Sequence, residues 1–351
     1  MTILSDRWKG LRKVPHVPLA ELPTSAEPFP SLSKWAGAEL WVKRDDRTAA
    51  RYGGNKVRKL EYLLGEALAR EADTLVTAGA AGSHHALATA IFGAEQGFAV
   101  HAVLMPQRHS AHVEEQLRGV LAAGAHVHPV RSAALTVPAM TAIAARLRMR
   151  GLRPFVIPFG GSSVAGVLGH VEAGLELARQ FEAGVVPEPD AIFVALGSGG
   201  TAAGLAVGLA AAGITARVVG VRVVARALVT RGRLGAMIDR AVSHLRGLDE
   251  RFPDVAAAAR EHLVIDHREY GEGYGEPTAG GRNAQRLARE HAGLTLEPTY
   301  TAKAFASVLR HARDEYPGGR LLYVHTLSSA DLHASTAGAP PLPSSLARLF
   351  R

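Results

Sequence analysis

The chain contains no cysteine, and that absence removes disulfide staples, thiol nucleophiles and cysteine-based zinc sites together. Such a composition fits a reducing compartment. There is also no run of about 18 apolar residues, and residues 1–13 carry charges with no apolar stretch behind them, so neither a membrane span nor a signal peptide is expected. The expected location is the cytoplasm. Aromatic residues make up only 6% of the chain and do not interleave with the basic ones in any one stretch, so a nucleic-acid partner is not expected despite a formal net charge of +8. Lysine is scarce. Of the 40 basic residues only seven are lysines, at Lys9, Lys13, Lys34, Lys43, Lys56, Lys59 and Lys303. Arginine supplies permanent charge equally well but does not lose its proton to become an imine-forming amine, so each retained lysine invites a chemical reason.

What is present is an α/β alternation. At 351 residues and 47% hydrophobic content the chain can bury one large core or two moderate ones without staples. The first 40 residues read as Pro-rich turns, followed by a strand at 38–43 that enters the charged loop Arg44-Asp45-Asp46-Arg47. A helical period over 57–71 places Leu60, Leu63, Leu64 and Leu68 on one face. Further strands are expected at 74–78, 99–104, 126–130, 154–157, 191–196, 216–223, 262–265 and 320–325, with helices between them, one starting near 87, one near 202 and one running through about 258. Residues 337–345 read as a low-complexity linker. This is the pattern of parallel sheets flanked by helices, whose ligands sit in the loops after strands.

Three such loops carry chemistry. Gly197-Ser198-Gly199-Gly200-Thr201 follows an apolar strand and precedes a helix, so bare N–H groups and the helix end suit a phosphate; the spacing is neither a Walker nor a Rossmann motif, and a plain turn capped by Ser198 and Thr201 is the alternative. Gly53-Gly54-Asn55-Lys56 presents a lysine at a helix start, where the dipole and the cations Arg58 and Lys59 are expected to lower its pKa toward the neutral amine; a solvated lysine is the alternative. The third loop, Gly79 to His85, offers N–H groups to a carboxylate and a hydroxyl at Ser83. His84 and His85 are neighbours that should point apart, so a metal is not expected.

These loops and other ordered motifs resemble the D-cysteine desulfhydrase and 1-aminocyclopropane-1-carboxylate deaminase family of fold-type-II pyridoxal-phosphate enzymes, related to the tryptophan synthase β-subunit. The resemblance runs from Val17-Pro18-Leu19 and Leu22-Pro23-Thr24 through Val42 to Asp46, Gly53 to Glu61, Pro158 to Ser162, Gly197 to Thr201, Gly273 to Pro277, Glu297 to Lys303 and His325-Thr326. It implies a two-domain α/β fold, with residues 1–60 and 165–351 as a large cofactor domain and 61–164 as a smaller inserted one. It implies pyridoxal 5′-phosphate held as an imine on Lys56, with Asn55 on the pyridoxal 3′-oxygen, Lys59 and the cup Gly197, Ser198, Gly199, Gly200 and Thr201 on the phosphate, and Thr326 on the ring nitrogen. Ser83, Tyr274 and Tyr300 would act beside Lys56, and Ser83, His84, His85 and Gly161 would surround a small amino-acid substrate. A homodimer is implied as well.

Two positions favour the desulfhydrase branch. Where the deaminases carry Glu and Leu, this chain has Thr301 and Thr326, as the desulfhydrases do, and a neutral partner on the ring nitrogen suits β-elimination. Two departures point to a diverged substrate: Gly82, His84 and Leu87 stand where the family has Gln, Asn and Arg, and Leu327-Ser328 stands where it has Gly-Gly. The expected activity is therefore α,β-elimination from a small amino acid, with ring opening, racemisation or β-replacement as rivals.

Overall fold

The computed structural model describes residues 2–332 and 342–350. The segment expected to be mere turns is in part regular. Thr2 and Ser5 form a capping box for α1 (Ile3–Arg7), a 3₁₀ turn follows at Lys9–Lys13, and β1 (Ala26–Pro28) leads to α2 (Pro30–Ala36), which has Pro30 at its first turn and a left-handed Gly37 at its end. Short elements with few apolar positions give no periodicity to read.

Then the chain alternates. β2 (Glu39–Lys43) precedes α3 (Asn55–Ala69), β3 (Thr74–Ala80), α4 (His84–Glu95), β4 (Ala99–Met105), α5 (Ala111–Ala122), β5 (His126–Pro129), α6 (Thr136–Met149) and β6 (Pro154–Val156). α7 (Val164–Glu182), β7 (Ala191–Leu196), α8 (Gly200–Ala211) and β8 (Arg217–Arg222) follow. The helix expected to run through 258 is two, α9 (Arg231–Leu248) and α10 (Ala256–His262), because the chain leaves helical geometry at Asp249 and turns through Pro253. β9 (Leu263–Asp266), α11 (Ala279–Ala292), α12 (Thr301–Asp314) and β10 (Arg320–Val324) complete the order. Helices α4 and α8 begin earlier than the apolar period suggests, at His84 and Gly200, since polar and glycine residues make up their first turns.

The strands form two sheets. One has six strands in the order β1-β2-β10-β7-β8-β9, parallel except for the β1–β2 pair; the other has four parallel strands in the order β5-β4-β3-β6. α7 and α8 pack on the larger sheet through a core that includes Val171, Leu175, Leu205, Ile192 and Val194. The smaller sheet's core takes Leu60, Leu63 and Leu64 from α3 together with Leu75, Leu87, Leu104 and Leu117. It also takes Leu346 and Leu349 from a 3₁₀ turn at Ser344–Leu349, with Leu342 packed against it, so the end of the expected linker, at 342–345, leads into packed structure; 337–341 lies outside the described residues. We propose the division at 61–164 on this two-sheet arrangement, with 342–350 as an addition to the smaller unit.

Candidate active site

The glycine turn after β7 is shaped as an empty-sided cradle. Gly199 has φ +95°, a value side-chain-bearing residues rarely adopt, and α8 starts at the next residue. A Cβ on Gly200 would lie 2.6 Å from Ser162 Oγ and 2.8 Å from Lys59 Nζ. Around it Gly200 N–H donates to Ser162 Oγ (3.2 Å), Ser162 and Ser198 share a hydroxyl hydrogen bond of 2.7 Å, and Asn55 Nδ2 donates to Thr201 Oγ1 at 2.9 Å. Lys59 Nζ donates to the Gly160 carbonyl (3.0 Å) and to Ser162 Oγ (3.2 Å). Burial first, and then the charge of Lys56, push its pKa well below the usual lysine value. A buried lysine amine held by a carbonyl and a hydroxyl, beside a helix N-terminus, is a site for an anion, whose charge would favour the protonated amine.

Lys56 sits one turn earlier on α3 and is half-buried. Its pKa falls to about 8, in the expected direction but for a different reason: burial alone lowers it. Arg58 does not act on it, because its guanidinium turns into a buried cluster, on Asp45 (2.8 Å) and Glu176 (3.0 Å). The turn before it is closed by Gly54 at φ +95°, where a Cβ would come within 2.7 Å of the Thr326 carbonyl. Thr326 thus abuts the lysine turn, and its carbonyl accepts the Asn55 N–H at 3.4 Å.

Tyr274 and Tyr300 meet, hydroxyl to hydroxyl, at 2.7 Å, and Tyr300 Cε1 lies 3.2 Å from where a Cβ on Gly197 would stand. Burial raises Tyr274 to about 12, and burial together with Tyr274 raises Tyr300 well above 10, so both phenols keep their protons at neutral pH. Thr301 follows Tyr300 but turns away from it: its hydroxyl accepts the Glu297 N–H at 2.8 Å and closes the turn before α12. As a marker of branch it therefore reports local structure, and the ring-nitrogen argument rests on Thr326.

In the third loop Ser83 is the N-cap of α4, its Oγ accepting the Ala86 N–H at 3.2 Å. Gly79 leaves it room, since a Cβ there would lie 2.3 Å from Ser83 Oγ. The two histidines point apart. His84 Nδ1 pairs with Tyr52 OH (2.7 Å) and its Nε2 with His112 Nε2 (3.1 Å). His85 is buried, its two ring nitrogens have no hydrogen-bond partner, and its Cε1 lies 3.0 Å from where a Cβ on Gly161 would be. Burial first, then His112 and Lys56 for His84 and the two lysines Lys56 and Lys59 for His85, lower both pKa values well below 6.5, so both rings are neutral.

Comparison with known proteins identifies the family. The profile of a family described as pyridoxal-phosphate dependent enzyme matches residues 17–326. The chain belongs to this family of pyridoxal-phosphate-dependent enzymes. A D-cysteine desulfhydrase of Klebsiella pneumoniae is 36% identical over 337 residues, covering 93% of this chain and 98% of that protein. A Pyrococcus furiosus protein provisionally named 1-aminocyclopropane-1-carboxylate deaminase is 35% identical over 322 residues, 90% of this chain and 92% of that protein. The crystal structure of an ACC deaminase homologue superposes with a TM-score of 0.77 at 32% identity, covering 92% of this chain and 94% of that one. The fold is thus the fold-type-II arrangement, and the cofactor is pyridoxal phosphate.

The residues present fit that cofactor. The cradle that one Cβ on Gly200 would fill, with the buried Lys59 amine against it, suits a phosphate, and a lysine with a pKa of about 8 suits an imine. Three groups near these residues were not read from the sequence as part of the site: Ser162, which links Lys59 to Ser198 and Gly200, and Tyr52 and His112, which hold His84. Ser162 lies in a glycine turn that was visible. Tyr52 and His112 carried no local signal, being brought to His84 from a loop and from α5.

Proposed function

We propose that this pyridoxal-phosphate-dependent lyase removes the α-proton and the β-substituent of a small amino acid, releasing a keto acid and ammonia, with a substrate related to but diverged from cysteine. The observation that carries the reading is the pairing of an amine at Lys56, lowered to about 8, with the Lys59 cradle one turn away. When bound, the cofactor supplies an imine-linked ring that withdraws electrons from the substrate's α-carbon. The chain's residues do the rest. Gly197 to Thr201, Ser162 and Lys59 would hold the phosphate, Asn55 and Thr326 the ring. Lys56, neutral above about pH 8, would be the attachment point and, when free, a base for the α-proton; Ser83 is the second candidate.

The first amides of α4, at His84 and His85, have no carbonyl behind them in the helix and would receive the substrate carboxylate. The Tyr274–Tyr300 pair, still protonated at neutral pH, would donate to the departing β-group. As that bond breaks its electron pair leaves with the substituent, and the resulting aminoacrylate takes up water to give keto acid and ammonia. The likeness to enzymes of amino-acid chemistry also leads us to propose a cytoplasmic homodimer, which sedimentation would show as twice the 37.0 kDa chain mass.

Borohydride reduction followed by peptide mass mapping should place the cofactor on Lys56, and Lys56→Ala should lose both adduct and turnover. An adduct on Lys59 or Lys303 would overturn the assignment. Cysteine, β-chloroalanine or cysteate should give pyruvate faster than the cyclopropane substrate gives 2-oxobutyrate; the opposite ranking would make ring opening the activity.

A further inference from the structure

Gly82 brings no side chain to the turn before α4, and the space beside it is filled from elsewhere. A Cβ on Gly82 would lie 2.9 Å from Val113 Cγ2 and 3.2 Å from Gln107 Oε1. Gln107 comes two residues after β4, is 7% exposed, and accepts the Gly82 N–H on Oε1 at 3.0 Å. Its backbone is fixed from the far end of the chain, by an N–H bond to the Leu349 carbonyl at 2.9 Å and a bridge to Phe350. On the other side its Nε2 lies 3.6 Å from where a Cβ on Gly275 would stand, next to Tyr274. The following residue, Arg108, pairs with Glu276 at 2.5 Å. Two adjacent residues of one segment therefore face two adjacent residues of the segment that carries Tyr274.

We propose that Gln107 is the positioning residue of the substrate turn: its carboxamide stands in for the side chain that Gly82 lacks and ties that turn to the Tyr274 segment. The inference rests on the proposed function, in which the start of α4 receives an amino-acid carboxylate. Within the turn Gly82 N–H goes to Gln107 and Ser83 N–H to the Ala80 carbonyl (3.0 Å), so the amides of His84 and His85 are those left for the anion. Where they point depends on how the turn is held. Gln107 acts through the turn, so its loss should weaken substrate binding more than the chemical step.

The test is a double-mutant cycle of Gln107→Ala and Gly82→Gln, made in a Val113→Ala background because Val113 Cγ2 would meet the new Cβ. Gln107→Ala should raise the KM for β-chloroalanine about tenfold, the size of one lost hydrogen bond, with kcat changed by less than about threefold. Gly82→Gln alone should also raise KM, because two carboxamides then compete for one space. The double variant should recover most of the loss. Deuterium exchange of the peptide spanning 79–87 in the holoenzyme should rise in Gln107→Ala and fall back in the double variant, a readout that needs no turnover. Purely additive losses with unchanged exchange would overturn the proposal. If the Val113→Ala set fails to fold, Gln107→Glu and Gln107→Leu in the native chain decide: the first keeps the acceptor and should keep the turn protected, the second should not, and equal exchange in both would refute the role. Absence of keto acid from every β-substituted amino acid, with the expected exchange pattern intact, would defeat the proposed activity and leave the anchoring of the turn supported.

Discussion

Lys56, Arg58 and Lys59 occupy one helical turn and have three different fates, decided by what surrounds each ammonium or guanidinium. Lys56 is lowered to about 8 by burial. Below that value the neutral amine falls about tenfold per pH unit, so capture of pyridoxal phosphate by the apoenzyme should accelerate from pH 6 to about 8 and then level off. Stopped-flow absorbance across that range checks it; a rise continuing to pH 10 would show an ordinary, solvated lysine. Ser83 has two separable roles. As a cap it should contribute about 1 kcal/mol, lost in Ser83→Ala, and as a proton carrier about 10²–10⁴-fold in α-hydrogen exchange with D₂O. A thermal shift without an exchange defect would leave it a cap only.

At the scale of elements, α3 is the part on which the site depends, and a buried charge cluster fixes it. Arg58 bonds Asp45 and Glu176, and Lys43 bonds Glu176 at 2.5 Å and the Thr24 carbonyl at 2.6 Å. Burial by itself would raise the Glu176 pKa, yet the charges of Arg58 and Lys43 hold it at about 2. Its folded value lies below the ordinary 4.5, so its stabilisation is complete above that pH and is lost as pH falls toward 2. Arg58→Leu leaves Glu176 buried beside too little positive charge and should destabilise the protein by about 3–5 kcal/mol at pH 7. The deficit should shrink toward pH 3, where protonation of Glu176 relieves it, and urea unfolding at the two pH values reads this directly. In the phosphate cup, Gly199→Ala forces a side chain onto φ +95° with Leu234 Cδ2 only 2.6 Å away. Strain of about 1–3 kcal/mol should appear as loosened cofactor binding, measured by equilibrium dialysis.

The whole molecule brings two sheets against one site. α3 belongs to both sides, sending Leu60, Leu63 and Leu64 into the smaller sheet's core while its outer contacts reach α7. The chain's last described residues join the smaller side, where Leu346 and Leu349 are buried. Truncation after residue 341 should therefore destabilise the smaller unit by at least about 2–5 kcal/mol, the cost of losing one buried leucine, and should raise deuterium exchange in β4 and β5 more than in β7 and β8. Equal effects in both sheets would show that the two unfold as one unit.

The sequence by itself determined the alternation of strands and helices, the three strand-to-helix loops, the singular position of Lys56 and, through its ordered motifs, the family. These are local properties: glycines permit a turn, an apolar run makes a strand, and a scarce lysine in a Gly-Gly-Asn turn is visible without neighbours. Tertiary structure decided what surrounds them. It showed that Lys56 is tuned by burial while Arg58 is spent on Asp45 and Glu176, that Thr301 closes a turn, and that His84 is held by Tyr52 and His112. It also brought Gln107 beside Gly82 from 25 residues away. Such contacts are set by packing between elements distant in the chain, and desolvation and partner choice depend on that packing, which no local pattern encodes.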